Sequence, residues 1–152
     1  MRVLCCGAVL VLGACLPAVA ADVNFSGTLT GVCTLGLSTP GILGLAADGS
    51  LSSTAGVPAI LTVLSVGTNT LTINPPVWVS PSPNYVAGDE TFEVAYAGLA
   101  GLGLADQVMT DTVTTRTVNT LPLSLLTMNA KATNSLGFAD GSYSMKVVVT
   151  CS

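Results

Sequence analysis

The sequence predicts an all-β domain, an immunoglobulin-like antiparallel β-sandwich of about 7–9 strands, and three observations predict it. Apolar residues alternate with polar ones at period two, as where Val23-Phe25-Gly27-Leu29 interleave with Asn24-Ser26-Thr28-Thr30. That is the pattern of a strand with one face buried. Turn signals such as Thr39-Pro40-Gly41, Asp48-Gly49 and Asp140-Gly141 separate the runs at short intervals. Capped amphipathic helix patterns are absent, as is any internal repeat of roughly 20–50 residues.

The elements follow in order. Val23–Leu29 and then Cys33-Leu35-Leu37 have strand alternation, and Ala59–Val66 is a β-branched apolar run suited to a strand covered on both faces. Thr70–Asn74 follows across Gly67-Thr68-Asn69, which predicts a hairpin. Four prolines between Pro75 and Pro83 restrict that stretch to a sheet edge or a surface loop, because each lacks a ladder donor. Thr91–Ala97 sets Phe92, Val94 and Tyr96 on one face, marking Phe92 and Tyr96 as core. The Gly-punctuated stretch 97–105 reads as a loop or weak strand, since three glycines burden a helix. Thr112–Val118 and Leu123–Thr133 are strands by composition and alternation. Tyr143, Met145, Val147, Val149 and Cys151 form one face of a last strand, with Tyr143 in the core.

Residues 1–21 have the layout of an export signal. Arg2 supplies the positive start, Val3–Leu16 the apolar stretch, and Ala18-Val19-Ala20 the small residues of a cleavage site. Cleavage there leaves a single domain, residues 22–152, destined for the periplasm, the cell surface or the medium. Leu12-Gly13-Ala14-Cys15 offers an alternative, a lipobox that would anchor the protein to a membrane through Cys15.

Composition narrows the function. Of the 152 residues, 50% are hydrophobic and 8% charged, against about a quarter charged in ordinary domains. The predicted mature chain carries three basic residues against eight acidic ones, a net charge of −5. Nucleic-acid binding, which needs a basic face, gains no support. Past residue 21 no apolar run approaches the ~18–20 residues of a membrane helix.

Only Cys33 and Cys151 remain after cleavage, and in an oxidising compartment two cysteines form a disulfide. It closes a loop of about 118 residues, for which chain entropy assigns roughly 4–5 kcal/mol, although the mechanism is disputed. Such a bond places the first strand region beside the last. Metal binding is the weaker use of two thiols in a chain with no His.

Absence of His also removes Ser–His–Asp and Cys–His catalysis, and no catalytic residue, metal or cofactor is expected. The acids Asp89, Glu90, Glu93, Asp106 and Asp111 read as solvated loop charges rather than a hydrolytic pair. Asp106–Asp111 lacks the dense acidic order of a Ca²⁺ loop. Trp78 and Tyr85, seven residues apart around the prolines, form the one plausible recognition surface, for a carbohydrate or envelope ligand. The alternative role for Trp78 is to plug one end of the core.

The opening, Val23-Asn24-Phe25-Ser26-Gly27-Thr28-Leu29 and then Cys33-Thr34-Leu35, resembles the first strand of chaperone–usher pilins. The end, Leu121-Pro122-Leu123 with Gly141–Thr150, is similar to the closing strands of pilins and of spore-coat-U-type secreted proteins. The resemblance covers only these terminal strands. It implies a cell-surface structural subunit, pilin-like or adhesin-related, whose incomplete sandwich pairs with strands of itself or of other surface subunits. It also implies a periplasmic chaperone as partner. Two departures stand beside it: pilins pair the early Cys with one a few dozen residues on, and they carry a donor extension before the first core strand. Here the exchanged segment would have to be Val23, Phe25, Gly27 and Leu29 themselves, with Gly27 entering a shallow pocket.

Overall fold

The computed structural model describes residues 31–98, 105–119 and 121–152. The predicted signal, the Val23–Leu29 segment and most of the Gly-rich stretch lie outside them. The described chain is all-β, with every strand pair antiparallel. The strands are β1 (Val32–Thr39), β2 (Ile42–Leu45), β3 (Leu51–Val57), β4 (Ala59–Val66), β5 (Asn69–Ile73) and β6 (Val77–Ser80). They continue with β7 (Glu90–Gly98), β8 (Gln107–Thr110), β9 (Thr114–Val118), β10 (Leu121–Asn134), β11 (Ser144–Lys146) and β12 (Val149–Cys151). Among the described residues no helix is long and apolar enough to cross a membrane.

Seven strands form one sheet around β10, whose 14 residues give it length for three neighbours. β4 and β3 lie end to end along one side of it and β7 along the other. β1 pairs outside β4, β2 outside β3, and β8 outside β7. A three-stranded sheet runs β12-β5-β9, and β11 with β6 makes a two-stranded ribbon. The core lies where the large sheet meets the three-stranded one. Val63, Val94, Tyr96, Leu126 and Met128 come from the first, Leu71, Ile73 and Val118 from the second. Burying such side chains is worth roughly 1.5–3 kcal/mol each, an upper range because unfolded chains are already partly collapsed.

Among the described residues alone there are twelve strands against the expected seven to nine, because several long runs are broken in two. Pro40 ends β1 and Pro58 separates β3 from β4. Each lacks an amide donor, and they fall opposite one another, since Thr39 pairs with Ile60 and Ile42 with Val57. The whole stretch 32–66 is thus one long hairpin, kinked at its prolines and reversing at Ala46–Ser50. Gly49 takes φ +79° there, and Asp48 accepts the Ser50 amide at 3.0 Å.

Two expectations are corrected. Gly67-Thr68-Asn69 does not close a hairpin, because β1 and β10 already occupy both edges of β4. The chain crosses instead to the other sheet. Gly67 has φ +76°, and the buried Asn69 amide donates to Ser65 Oγ at 2.8 Å and to the Val66 carbonyl at 3.1 Å. The last strand is likewise two: β11 pairs with β6 and β12 with β5, and Val147-Val148 lies between. The proline stretch forms β6, whose only ladder partner among the described residues is β11, an edge as expected.

The Cys33–Cys151 bond is present, with the Cα atoms 5.9 Å apart. It joins strands that share no ladder. β1 is the outer strand of the large sheet and β12 the outer strand of the small one, so the bond sews two sheet edges together.

Past the kink the register slips: Ile42 faces Val57, but two residues on Gly44 faces Ser52. The excess in β3 bulges toward β2, and a Cβ on Gly56 would collide with the Ile42 carbonyl. Gly56→Ala is therefore expected to cost about 1–3 kcal/mol, the range for forced overpacking. Urea denaturation measures it, with Gly49→Ala as comparison, where a Cβ meets nothing within 4 Å and only the positive φ opposes it.

Candidate functional site

Two features stand apart from the sealed core. The first is a cleft of 570 Å³ between the β1–β2 edge of the large sheet and the β11–β12 segment. Leu37, Ile42 and Leu43 line one flank, Met145, Val147 and Val149 the other, over a floor of Ala59, Leu61 and Met128. Ser53 and Asn129 in its wall are already engaged. Ser53 Oγ donates to Asn129 Oδ1 at 3.0 Å and accepts the Ala130 amide at 3.0 Å. Ser144 and Lys146 also line it, and what is left for an occupant is otherwise largely apolar. Leu37 is 65% exposed and Ile42 59% exposed, high for residues beside a core. Each flank is also a strand edge without a ladder partner among the described residues, so it presents backbone donors and acceptors as well as side chains.

The second feature is a cluster of five aromatic rings. Trp78 sits at its centre, with ring centroids 5.7 Å from Tyr85, 5.2 Å from Phe92, 6.3 Å from Phe138 and 5.6 Å from Tyr143. Tyr85 stacks on Phe138 at 6.0 Å. The strand pairing explains the assembly: Met145 pairs with Trp78, which brings Tyr143 and Phe138 under the proline segment. All five rings are half-buried. Edge-on contacts of this kind each add about 0.5–1.5 kcal/mol beyond burial. Tyr143 also reaches the cleft wall, so the two features adjoin.

The structure brings the sequence-predicted Trp78 and Tyr85 together, but their rings are engaged with other rings rather than displayed. Phe92 and Tyr143, expected in the core, belong to this satellite cluster, while Tyr96 is in the core as expected. Phe138 was not singled out by alternation, because it lies in a loop. The five acids do not converge. Among the described residues no three His, Cys, Asp or Glu side chains come together to hold a metal. Glu90 instead accepts the Tyr85 hydroxyl. A salt bridge absent from any periodicity, Lys131 to Asp48 at 2.9 Å, ties the β2–β3 turn to β10. The Ser50 hydroxyl, Lys131 and the Ser50 amide hold the Asp48 carboxyl below the usual range.

Burial, and then the bond to Glu90, push the Tyr85 hydroxyl up to about 12. The folded protein therefore binds this proton more tightly than the unfolded chain, whose tyrosines ionise near pH 10. The linked stability is whole below about pH 10 and lost as pH rises through about 12. Absorbance titration of phenolate should show a late-ionising component that is absent in Tyr85→Phe, and that variant's alkaline unfolding should begin at higher pH. Trp78→Ala should destabilise the fold toward the low end of the roughly 3–5 kcal/mol typical of Trp truncation, because the ring is half-buried. Thermal denaturation measures this.

Compared with protein-family models, with curated proteins and with solved structures, the chain matches none of them.

Proposed function

We propose that this protein is an exported, cell-surface structural subunit, an immunoglobulin-like sandwich with one strand position left open, and that it works by pairing with a strand from another subunit. The observation that carries the reading is the cleft. It joins two strand edges that have no ladder partner among the described residues across an apolar floor, and an extended peptide laid in it gains main-chain hydrogen bonds on both sides while its alternate side chains bury. Leu37 and Ile42 supply the apolar surface for which no partner is found within the described chain.

Other features agree with this reading. The sequence is poor in charge, and of the strands β1, β2, β11 and β12 beside the cleft only β11 carries one of the lysines that usually discourage pairing, Lys146. The predicted signal and the disulfide suit an oxidising compartment. A protein exported with such a cleft open needs protection in transit, which is the part a periplasmic chaperone would play. No step of the proposed function requires a catalytic residue, cofactor or metal. Carbohydrate recognition by Trp78 and Tyr85 has less support, since their rings are spent on one another.

The test is the state of the purified full chain. It should form multimers that survive mild detergent. Leu37→Asp with Ile42→Asp should leave it monomeric with its melting temperature within a few degrees, because both side chains are largely exposed. A wild-type protein that stays monomeric at high concentration, or a variant that multimerises equally well, contradicts the reading.

A further inference from the structure

We infer that the Cys33–Cys151 disulfide is the end stop of the cleft, fixing how far an inserted strand reaches and denying the cleft to the chain's own N-terminal segment. This rests on the strand-pairing reading above. The two flanks are not parallel. At Cys33 and Cys151 their Cα atoms are 5.9 Å apart, too close for a strand to lie between, since paired strands stand about 4.7–4.9 Å from each neighbour. The cleft opens only further along. Its lining runs from Leu37 to Leu43 on one flank and from Tyr143 to Val149 on the other, and includes neither Cys33, Leu35 nor Cys151. From Leu37 to Leu43 is roughly 20 Å at the strand rise of ~3.3 Å per residue. The opening therefore takes about six or seven residues.

The stop also decides whose segment enters. The described chain begins at Gly31, beside the shut end. To lie abreast of Leu37, the preceding residues would have to double back past the disulfide for roughly 20 Å, using about six of the residues 22–30 before reaching the opening. A second copy has no such detour, and its Val23–Leu29 matches the opening in length and in apolar alternation. Charge agrees: Asp22 heads that segment, and Lys146 lies at the cleft with no ion pair among the described residues. The occupant is the Val23–Leu29 segment of another copy, halted by the disulfide.

The probe is a synthetic peptide of residues 22–30 carrying a photoreactive phenylalanine analogue at Phe25 or at Leu29, added in excess to the oxidised full chain diluted until it is monomeric. Cross-links located by mass spectrometry should fall within residues 37–43 and 143–149, with none on residues 33–35 or 151–152. In Cys33→Ser/Cys151→Ser they should extend to residues 33–35. Cross-links at 33–35 in the oxidised protein, or an identical map in a folded double variant, overturn the end stop while leaving strand pairing intact. No saturable cross-link in the cleft overturns both. Should the double variant fail to fold, the oxidised map alone decides.

Discussion

The disulfide between the outer strand of the large sheet and the outer strand of the small one sets the geometry on which the rest depends. Two sheets facing across a core are otherwise held along their lateral edges only by the side chains between them. Linking Cys33 to Cys151 draws one end of one lateral edge shut while the same edge diverges toward Leu37 and Val147. The core of Val63, Leu71, Tyr96 and Leu126 is sealed, and the neighbouring volume over Leu61 and Met128 is open. Sealed core and open cleft are parts of one wedge. The bond spans a separation of 118 residues, so it also constrains nearly the whole described chain in the unfolded state.

Local pattern and long-range pairing were legible in the sequence to different degrees. The strand character of Ala59–Val66, Thr91–Ala97 and Leu123–Thr133 was legible because period two reports which residues face a core. The Cys33–Cys151 pairing was legible because two cysteines leave one choice. Destination was not. Gly67-Thr68-Asn69 looks the same whether the next strand folds back on β4 or crosses to another sheet, and what decides is that β1 and β10 have taken both edges of β4. Likewise the alternation from Tyr143 to Cys151 runs on unbroken, although β6 and β5 lie at different places and each claims only part of it.

The site was readable to a similar extent. Trp78 and Tyr85 were conspicuous as aromatics among prolines, yet their assembly with Phe138 and Tyr143 depends on β11 pairing with β6. The cleft left no mark in the sequence at all. Leu37 and Ile42 belong to ordinary alternating strands, and only the geometry shows that the place opposite them is empty of described chain. An edge without a ladder partner is a property of the fold, because edges are defined by pairing rather than by residue type.

The claim at the centre is that the β1–β2 and β11–β12 edges receive a strand, and backbone amide exchange tests it most directly. With the full chain diluted until it is monomeric and then saturated by a peptide of residues 22–30, amides of Leu37–Leu45 and Met145–Val149 should exchange at least tenfold more slowly than in the same monomer without peptide. Those of β9 should be unchanged. Equal exchange rates along both edges with and without the peptide would contradict the account.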